Sequence, residues 1–298
     1  MAPKIAVIGS NGFLGKPTIA ALTSDEFSSK IDLPIIAITR SAKDKVSTDK
    51  IKYVEADYSE SNLDKLYEIF EGIDVVIELV GANPELFAVT EKIVAHTKPK
   101  LFIPSQFGTD IEDSSKYLPG FLGLKTVHSE NARKAGVKTV DIITSLFAVP
   151  GSFSYEIVGT LGVDAEAKTV TYRGDPDYKI AFSKLEDIGK SVAAVATFSD
   201  FSKLPNKVRV YSDLASNREV AERYESTHNV KLQELPAISK ADSLKEGQDK
   251  LAKGFNPAEF LFYLNVLASQ GEDAGLAFSS SERELINPGE SLWKWGKF

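Results

Sequence analysis

Short apolar runs alternate with longer stretches of helical periodicity through the first half of the chain. Residues 5–8 (IAVI) carry no polar side chain, as expected of a strand buried on both faces. Similar runs follow at 34–39 (PIIAIT), 52–55 (KYVE), 74–79 (DVVIEL), 101–104 (LFIP) and 139–144 (TVDIIT). Between them the period changes. Leu63, Leu66, Ile69 and Phe70 share one helical face, and helices are also predicted up to Leu22, over 85–96 and over about 120–134. This alternation predicts an α/β fold, a doubly wound parallel sheet with right-handed crossovers. Such a sheet binds its ligand outside the carboxyl ends of the strands.

After Pro150 and Gly151 the rhythm breaks. Residues 169–172 and 207–211 read as strands, and 185–198 as an amphipathic helix. The charged, lysine-rich stretch 239–254 reads as a solvated helix or a mobile lid. Residues 260–268 (FLFYLNVLA) fall well short of the roughly 20 apolar residues that span a bilayer, and they contain Asn265; a buried helix is expected. The organisation expected is a nucleotide-binding domain over 1–151 and a smaller mixed α/β substrate-binding portion over 152–298. The stretch 207–211 is a candidate to return to the main sheet.

Composition narrows the chemistry. The 298 residues include no cysteine, which excludes a disulfide framework, a thiolate metal site and a cysteine nucleophile together. A cytoplasmic, reducing location is expected, since the N-terminal apolar run is too short for a secretory signal. A net charge of −7, with no Lys/Arg-rich run, argues against nucleic acid as a partner. His96, His128 and His228 are too widely spaced to suggest a metal site, and none is expected.

The most specific feature is Gly9-Ser-Asn11-Gly12-Phe13-Leu14-Gly15, placed between the first strand and the first helix. Gly9 permits a tight turn, Gly12 allows backbone to approach a pyrophosphate, and Gly15 allows helix and sheet to pack closely. The helix N-terminus then offers free N–H groups to phosphate. Pro17 is compatible only with a helix that starts near Leu14. The fold expected is therefore a dinucleotide-binding Rossmann sheet. Its second strand ends in Thr39-Arg40-Ser41, where an NAD site would carry an acid for the ribose 2′-OH. Arg40, with Lys43 or Lys45 nearby, suits a 2′-phosphate, so NADP(H) is the expected cofactor. Asp57 and Tyr58 are expected near the adenine, and Leu79, Val80 and Gly81 near its ribose.

Together with Ile103-Pro-Ser-Gln106-Phe107-Gly108, these residues resemble the isoflavone reductase-like and NmrA-like proteins, atypical short-chain dehydrogenases with an R-F-x-P-S-E-F-G segment on the fifth strand. The resemblance is strong over residues 4–151 and weaker beyond, where Asp187-Ile-Gly189 also matches. It implies that Gln106 and Phe107 line the cofactor. Two departures stand out. Gln106 replaces the usual glutamate, exchanging a charge for an amide that both donates and accepts. None of the ten tyrosines has a lysine four residues later, so the general Tyr-x-x-x-Lys pair is absent. The resemblance implies instead a single lysine on the helix after that loop, here Lys125. Its role would be to hold the nicotinamide ribose and handle a proton, with its pKa lowered by desolvation. His128 lies one turn on, either assisting or packing. Phe147 and Phe153, flanking Pro150-Gly151, are candidates for the floor of a substrate pocket or for core.

Two functions follow from these features. One is an NADPH-dependent reductase of a small aromatic, quinone-like or enone/carbonyl compound. The other is an NADP(H)-sensing regulatory protein without turnover, which needs a protein partner. Lys125 favours the first and Gln106 the second. Neither involves nucleic acid or a membrane.

Overall fold

Each of the first five apolar runs forms a strand in the computed structural model, which describes residues 1–155 and 158–298. In chain order the first half runs β1 (Ile5–Ile8), α1 (Gly15–Thr23), α2 (Asp25–Ser28), β2 (Ile35–Thr39), β3 (Ile51–Glu55), α3 (Leu63–Phe70), β4 (Val75–Glu78), α4 (Pro84–Thr97) and β5 (Leu101–Ile103). The strands are all parallel in the order β3-β2-β1-β4-β5. Central β1 faces Ile36 of β2 and Val76 of β4 at Ala6. Every residue of β1 and β4 is buried, which is why both runs are apolar apart from Glu78.

The chain continues through α5 (Ile111–Ser114), α6 (Gly123–Lys134) and β6 (Asp141–Ile143). A bridge between Phe102 and Thr139 attaches this last segment beside β5. The helix α6 begins three residues later than its periodicity suggests, because Leu122 adopts a left-handed conformation (φ 56°).

The second half comprises β7 (Leu146–Phe147), β8 (Val163–Asp164), β9 (Thr169–Val170), β10 (Lys179–Ser183), α7 (Leu185–Ala196), β11 (Lys207–Arg209), β12 (Asp213–Ser216), α8 (Asn217–His228), β13 (Gln233–Glu234), α9 (Lys240–Leu251), α10 (Phe260–Ala268) and α11 (Arg283–Ile286). Strand β11 pairs in parallel with β6, Val208 opposite Ile142, in a two-stranded sheet of its own. The remaining strands form two small sheets, β12-β10-β7 and β13-β9-β8. The lysine-rich stretch forms α9, whose Ser243 and Gly247 are buried. A Cβ at Gly247 would lie 2.9 Å from Val266, so α9 is docked on α10 rather than free as a lid. As expected, α10 is largely buried.

Helices cover both faces of the main sheet. On one face Val7, Val75 and Ile77 pack with Leu22 of α1, Val192 of α7 and, from the end of the chain, Trp293 and Trp295. On the other, Ala6, Ile8 and Val76 pack with Phe70 of α3 and Ile93 of α4. A further cluster joins Phe121 and Leu146 of the first half to Phe182 and Tyr263 of the second. The Asp187-Ile-Gly189 motif has a packing explanation. A Cβ at Gly189 would lie 2.4 Å from the Pro17 carbonyl, so glycine lets α7 cross α1 closely. Asp187 Oδ2 accepts hydrogen bonds from Ser212 Oγ (2.5 Å) and the Gly296 N–H (2.8 Å), fastening the C-terminal segment.

Candidate active site

The glycine turn leaves β1 as Gly9 takes a left-handed conformation (φ +84°). A Cβ at Gly15 would stand 2.2 Å from the Gly9 carbonyl, so the first helical residue has no space for a side chain. At Gly12 a Cβ would meet only ordinary contacts, the nearest 3.4 Å away at the Gly9 carbonyl. The protein's own packing therefore does not require glycine at position 12; a ligand approaching the backbone would. Leu14 serves as N-cap of α1, and Pro17 falls in its first turn, where no internal N–H partner is lost.

A cavity of about 580 Å³ opens over this turn, at the carboxyl ends of β1, β2 and β4. Gly9, Asn11 and Gly12 form one wall, Leu79 and Val80 another, and Arg40 with Tyr58 close the far side. Arg40 is exposed, and among the described residues no hydrogen bond or ion pair engages its guanidinium. Ser10 also lines the cavity; its buried Oγ has no hydrogen-bond partner. Several of the expected cofactor residues do not line this cavity, among them Lys45, Asp57 and Gly81. Lys45 lies over the Tyr53 ring (5.8 Å to its centroid), Asp57 accepts from Ser59 Oγ (2.6 Å), and Gly81 is exposed beyond the lining.

A second cavity of about 270 Å³ is lined in part by Ala82, two residues beyond Val80 of the first. Its lining brings together Phe107, Lys125, Phe147 and Phe153, four residues singled out from the sequence, and adds Phe260 and Leu264 of α10. Phe13 stands 48% exposed at its lip, with its ring 5.8 Å from that of Phe147. Lys125 Nζ makes no hydrogen bond or ion pair among the described residues. Burial lowers its pKa to about 8, against the opposing attraction of Glu78. An amine in that range, facing an apolar cavity, can exchange a proton near neutral pH.

Gln106 does not face the nucleotide cavity. Its Nε2 donates to the Lys125 carbonyl and to Ser129 Oγ (2.7 Å), tying the Pro104–Gly108 loop to α6. A glutamate here could not make this pair of bonds, since an ionised carboxylate has no proton to donate.

His128 is packed rather than exposed, and it belongs to a charged group that the sequence reading missed. Glu78, fully buried at the end of β4, accepts from Thr90 Oγ1 (2.6 Å) and the Ser105 N–H (3.3 Å). His128 Nε2 lies 3.1 Å from Glu78 Oε2, and Nδ1 lies 2.8 Å from Glu91 Oε1. Its ring stacks on Phe87 with centroids 4.1 Å apart. Burial works against the imidazolium, but the two carboxylates outweigh it and raise the His128 pKa. Tyr58 Oη reaches the same group through Thr90 Oγ1 (2.9 Å). The available signal was an acid inside the apolar run VVIEL.

Among the described residues no helix is long and apolar enough to cross a membrane, and no cluster of three or more acids and histidines could hold a metal. The model of the NmrA-like family matches residues 1–250. The fold is similar to leucoanthocyanidin reductase from Vitis vinifera in a binary complex with NADPH (17% identity, TM-score 0.65, covering 90% of this chain and 86% of that one). It is also similar to isoflavone reductase (19%, TM-score 0.66, 89% and 87%) and to a nucleoside-diphosphate-sugar epimerase from Staphylococcus aureus (15%, TM-score 0.64, 95% of each). At these identities the likeness concerns the fold. No curated protein matches the chain in sequence.

Proposed function

Because the chain belongs to the NmrA-like family, we propose that it is an NADPH-dependent reductase of a small aromatic, quinone-like or enone/carbonyl compound. The observation that carries this reading is the unpaired Lys125 amine in an aromatic cavity whose Phe147 touches Phe13 of the glycine turn. The groove fits a dinucleotide on three counts: open space over Gly12, an orphaned Ser10 hydroxyl, and an unpaired Arg40 guanidinium. The backbone N–H groups of Asn11 and Phe13, which unlike that of Gly12 make no hydrogen bond within the turn, would hold the pyrophosphate, Arg40 the 2′-phosphate, and Leu79 and Val80 the ribose side of the groove. NADPH, when bound, supplies a hydride. Lys125 would orient the nicotinamide ribose and, as ammonium, give its proton to the oxygen that becomes negative as the substrate carbon is reduced. Phe107, Phe147 and Phe153 would hold the substrate ring by flat apolar contact and exclude water.

The test is a titration with NADPH combined with a screen of NADPH oxidation against quinones, enones and phenylpropanoid-like compounds. Binding with turnover supports the reductase. Tight binding with no turnover across the panel moves the assignment to a redox sensor that reports to a protein partner, since the fold alone serves both roles.

A further inference from the structure

The aromatic cavity has three side chains with polar ends on an otherwise apolar wall: Lys125, Ser145 and Thr109. Ser145 is already engaged, since its Oγ donates to the Leu276 carbonyl (2.8 Å). Thr109 is not. It is 5% exposed, and its Oγ1 makes no hydrogen bond among the described residues. Nor is that oxygen sealed away from accessible space, and the aromatic cavity is the one this residue lines. A hydroxyl held at such burial with nothing to bond costs stability, so a buried polar group of this kind calls for a partner.

The backbone fixes Thr109 from both sides. Gly108 (φ +107°) donates its N–H to Thr144 Oγ1 (3.1 Å), and its carbonyl accepts from the Ser145 N–H (2.9 Å). On the other side the Asp110 N–H donates to the Gly275 carbonyl (2.9 Å), and the Asp110 carboxylate accepts from Lys207 and Arg209. The Thr109 methyl packs toward Gly275, where a Cβ would lie 2.8 Å from Thr109 Cγ2. With the methyl on that side the stiff threonine rotamer is set, and Oγ1 is turned away from Gly275. We propose that Thr109 is a specificity-determining residue whose hydroxyl bonds a second oxygen on the substrate ring, the first being the oxygen served by Lys125. The substrate class is then a one-ring or fused-ring compound oxygenated at two positions, a quinone or a hydroxylated enone, because a hydroxyl both donates and accepts. The catalytic meaning of Thr109 rests on the reductase reading; its part in binding does not.

The test uses the full chain without nucleotide and the fluorescence of naphthols. The probes are 1- and 2-naphthol, with one oxygen, and the isomeric dihydroxynaphthalenes, which vary the spacing of two. At least one isomer should bind about 2- to 12-fold more tightly than either naphthol, the span of one net hydrogen bond. Thr109→Val keeps the branched shape and the methyl against Gly275; it should erase that gain and leave naphthol affinity unchanged. Thr109→Ser, which keeps the hydroxyl, should retain the gain. The proposal is overturned if no isomer gains, if the gain survives in Thr109→Val, or if serine loses it too. It is also overturned if valine weakens both kinds of probe equally, the mark of a packing role, or if no naphthol binds at all. Should Thr109→Val not fold, Thr109→Ala against Thr109→Ser makes the same comparison. Turnover separates this proposal from the reductase reading. Binding in the expected pattern without NADPH oxidation keeps the role of Thr109 and removes the reductase; turnover with a gain that survives in Thr109→Val does the reverse. Where turnover is found, a loss in Thr109→Val confined to quinones assigns the second oxygen to a carbonyl, and one confined to hydroxylated enones assigns it to a hydroxyl.

Discussion

Replacing Arg40 by alanine isolates one charge at the wall of the nucleotide groove. The guanidinium is exposed at the end of β2 and has no hydrogen bond or ion pair among the described residues. No neighbouring carboxylate would be left uncompensated by its removal, so folding stability should change by less than about 0.5 kcal/mol. If Arg40 binds a 2′-phosphate, its loss removes a charge-assisted hydrogen bond of roughly 1.5–3 kcal/mol. At about 1.4 kcal/mol per tenfold, NADPH affinity falls by about 10- to 150-fold, while NADH affinity barely moves. The assay is a fluorescence titration of both nucleotides against both proteins, paired with thermal unfolding in their absence. Because the site is open to solvent, the difference between nucleotides should also shrink as salt rises. Equal affinities of the unmodified protein for NADPH and NADH would refute the reasoning, and so would an equal loss of both in the variant.

Other substitutions address the remaining parts of the site. Gly12→Val should fold, since its Cβ meets only ordinary contacts, yet lose NADPH binding in the same titration; Gly15→Ala, with a Cβ 2.2 Å from the Gly9 carbonyl, should lower the melting temperature instead. Lys125→Ala should reduce kcat by roughly 10²–10⁴ with a much smaller effect on NADPH affinity, and arginine should not rescue it. If the Lys125 ammonium is the acid, its pKa lowered to about 8 means that kcat/KM should be level at lower pH and fall as pH rises through that value. Gln106→Glu would set a carboxylate against the Lys125 carbonyl and strand buried groups, at about 1–3 kcal/mol, readable by denaturant unfolding.

The main sheet was legible because buried parallel strands are continuous apolar runs, and β1 and β4 are buried at every position. The glycine turn was legible because steric demands at Gly9 and Gly15 leave little choice of residue. Residues on loops were placed less well. Lys45 and Asp57 were assigned by their distance along the chain from a strand end, but the loop geometry turns one onto Tyr53 and the other onto Ser59. Gln106 was assigned by motif position alone, which does not say which way a side chain turns; two acceptors on α6 decide that. Phe260 and Leu264 were read correctly as helix, yet periodicity cannot say that α10 would end against a cavity contributed by the first half. Glu78 interacts with partners at positions 90, 105 and 128, separations that no local pattern reports.

The size of the aromatic cavity bears on the choice of substrate. At about 270 Å³ it falls just below the roughly 300–1,000 Å³ common for drug-sized ligands. Part of that space must also admit the nicotinamide edge of a bound cofactor. What remains suits one ring or a fused pair, lying against Phe147 and Phe153, which pack on each other with centroids 5.7 Å apart. A compound with two separate aryl groups would have to displace Phe260, which packs on Phe153 at 6.0 Å and on Phe121 at 6.0 Å. Naphthoquinone-sized substrates should therefore show the higher kcat/KM, measured by NADPH oxidation, and two-aryl compounds of equal redox reactivity a lower one. Phe260→Ala removes the obstructing ring from one wall and should narrow that ratio, chiefly through KM, because it enlarges the cavity without touching Lys125. Equal kcat/KM for both classes in the unmodified protein would show that these rings do not bound the substrate. A ratio unchanged in Phe260→Ala would place the boundary elsewhere in the second half.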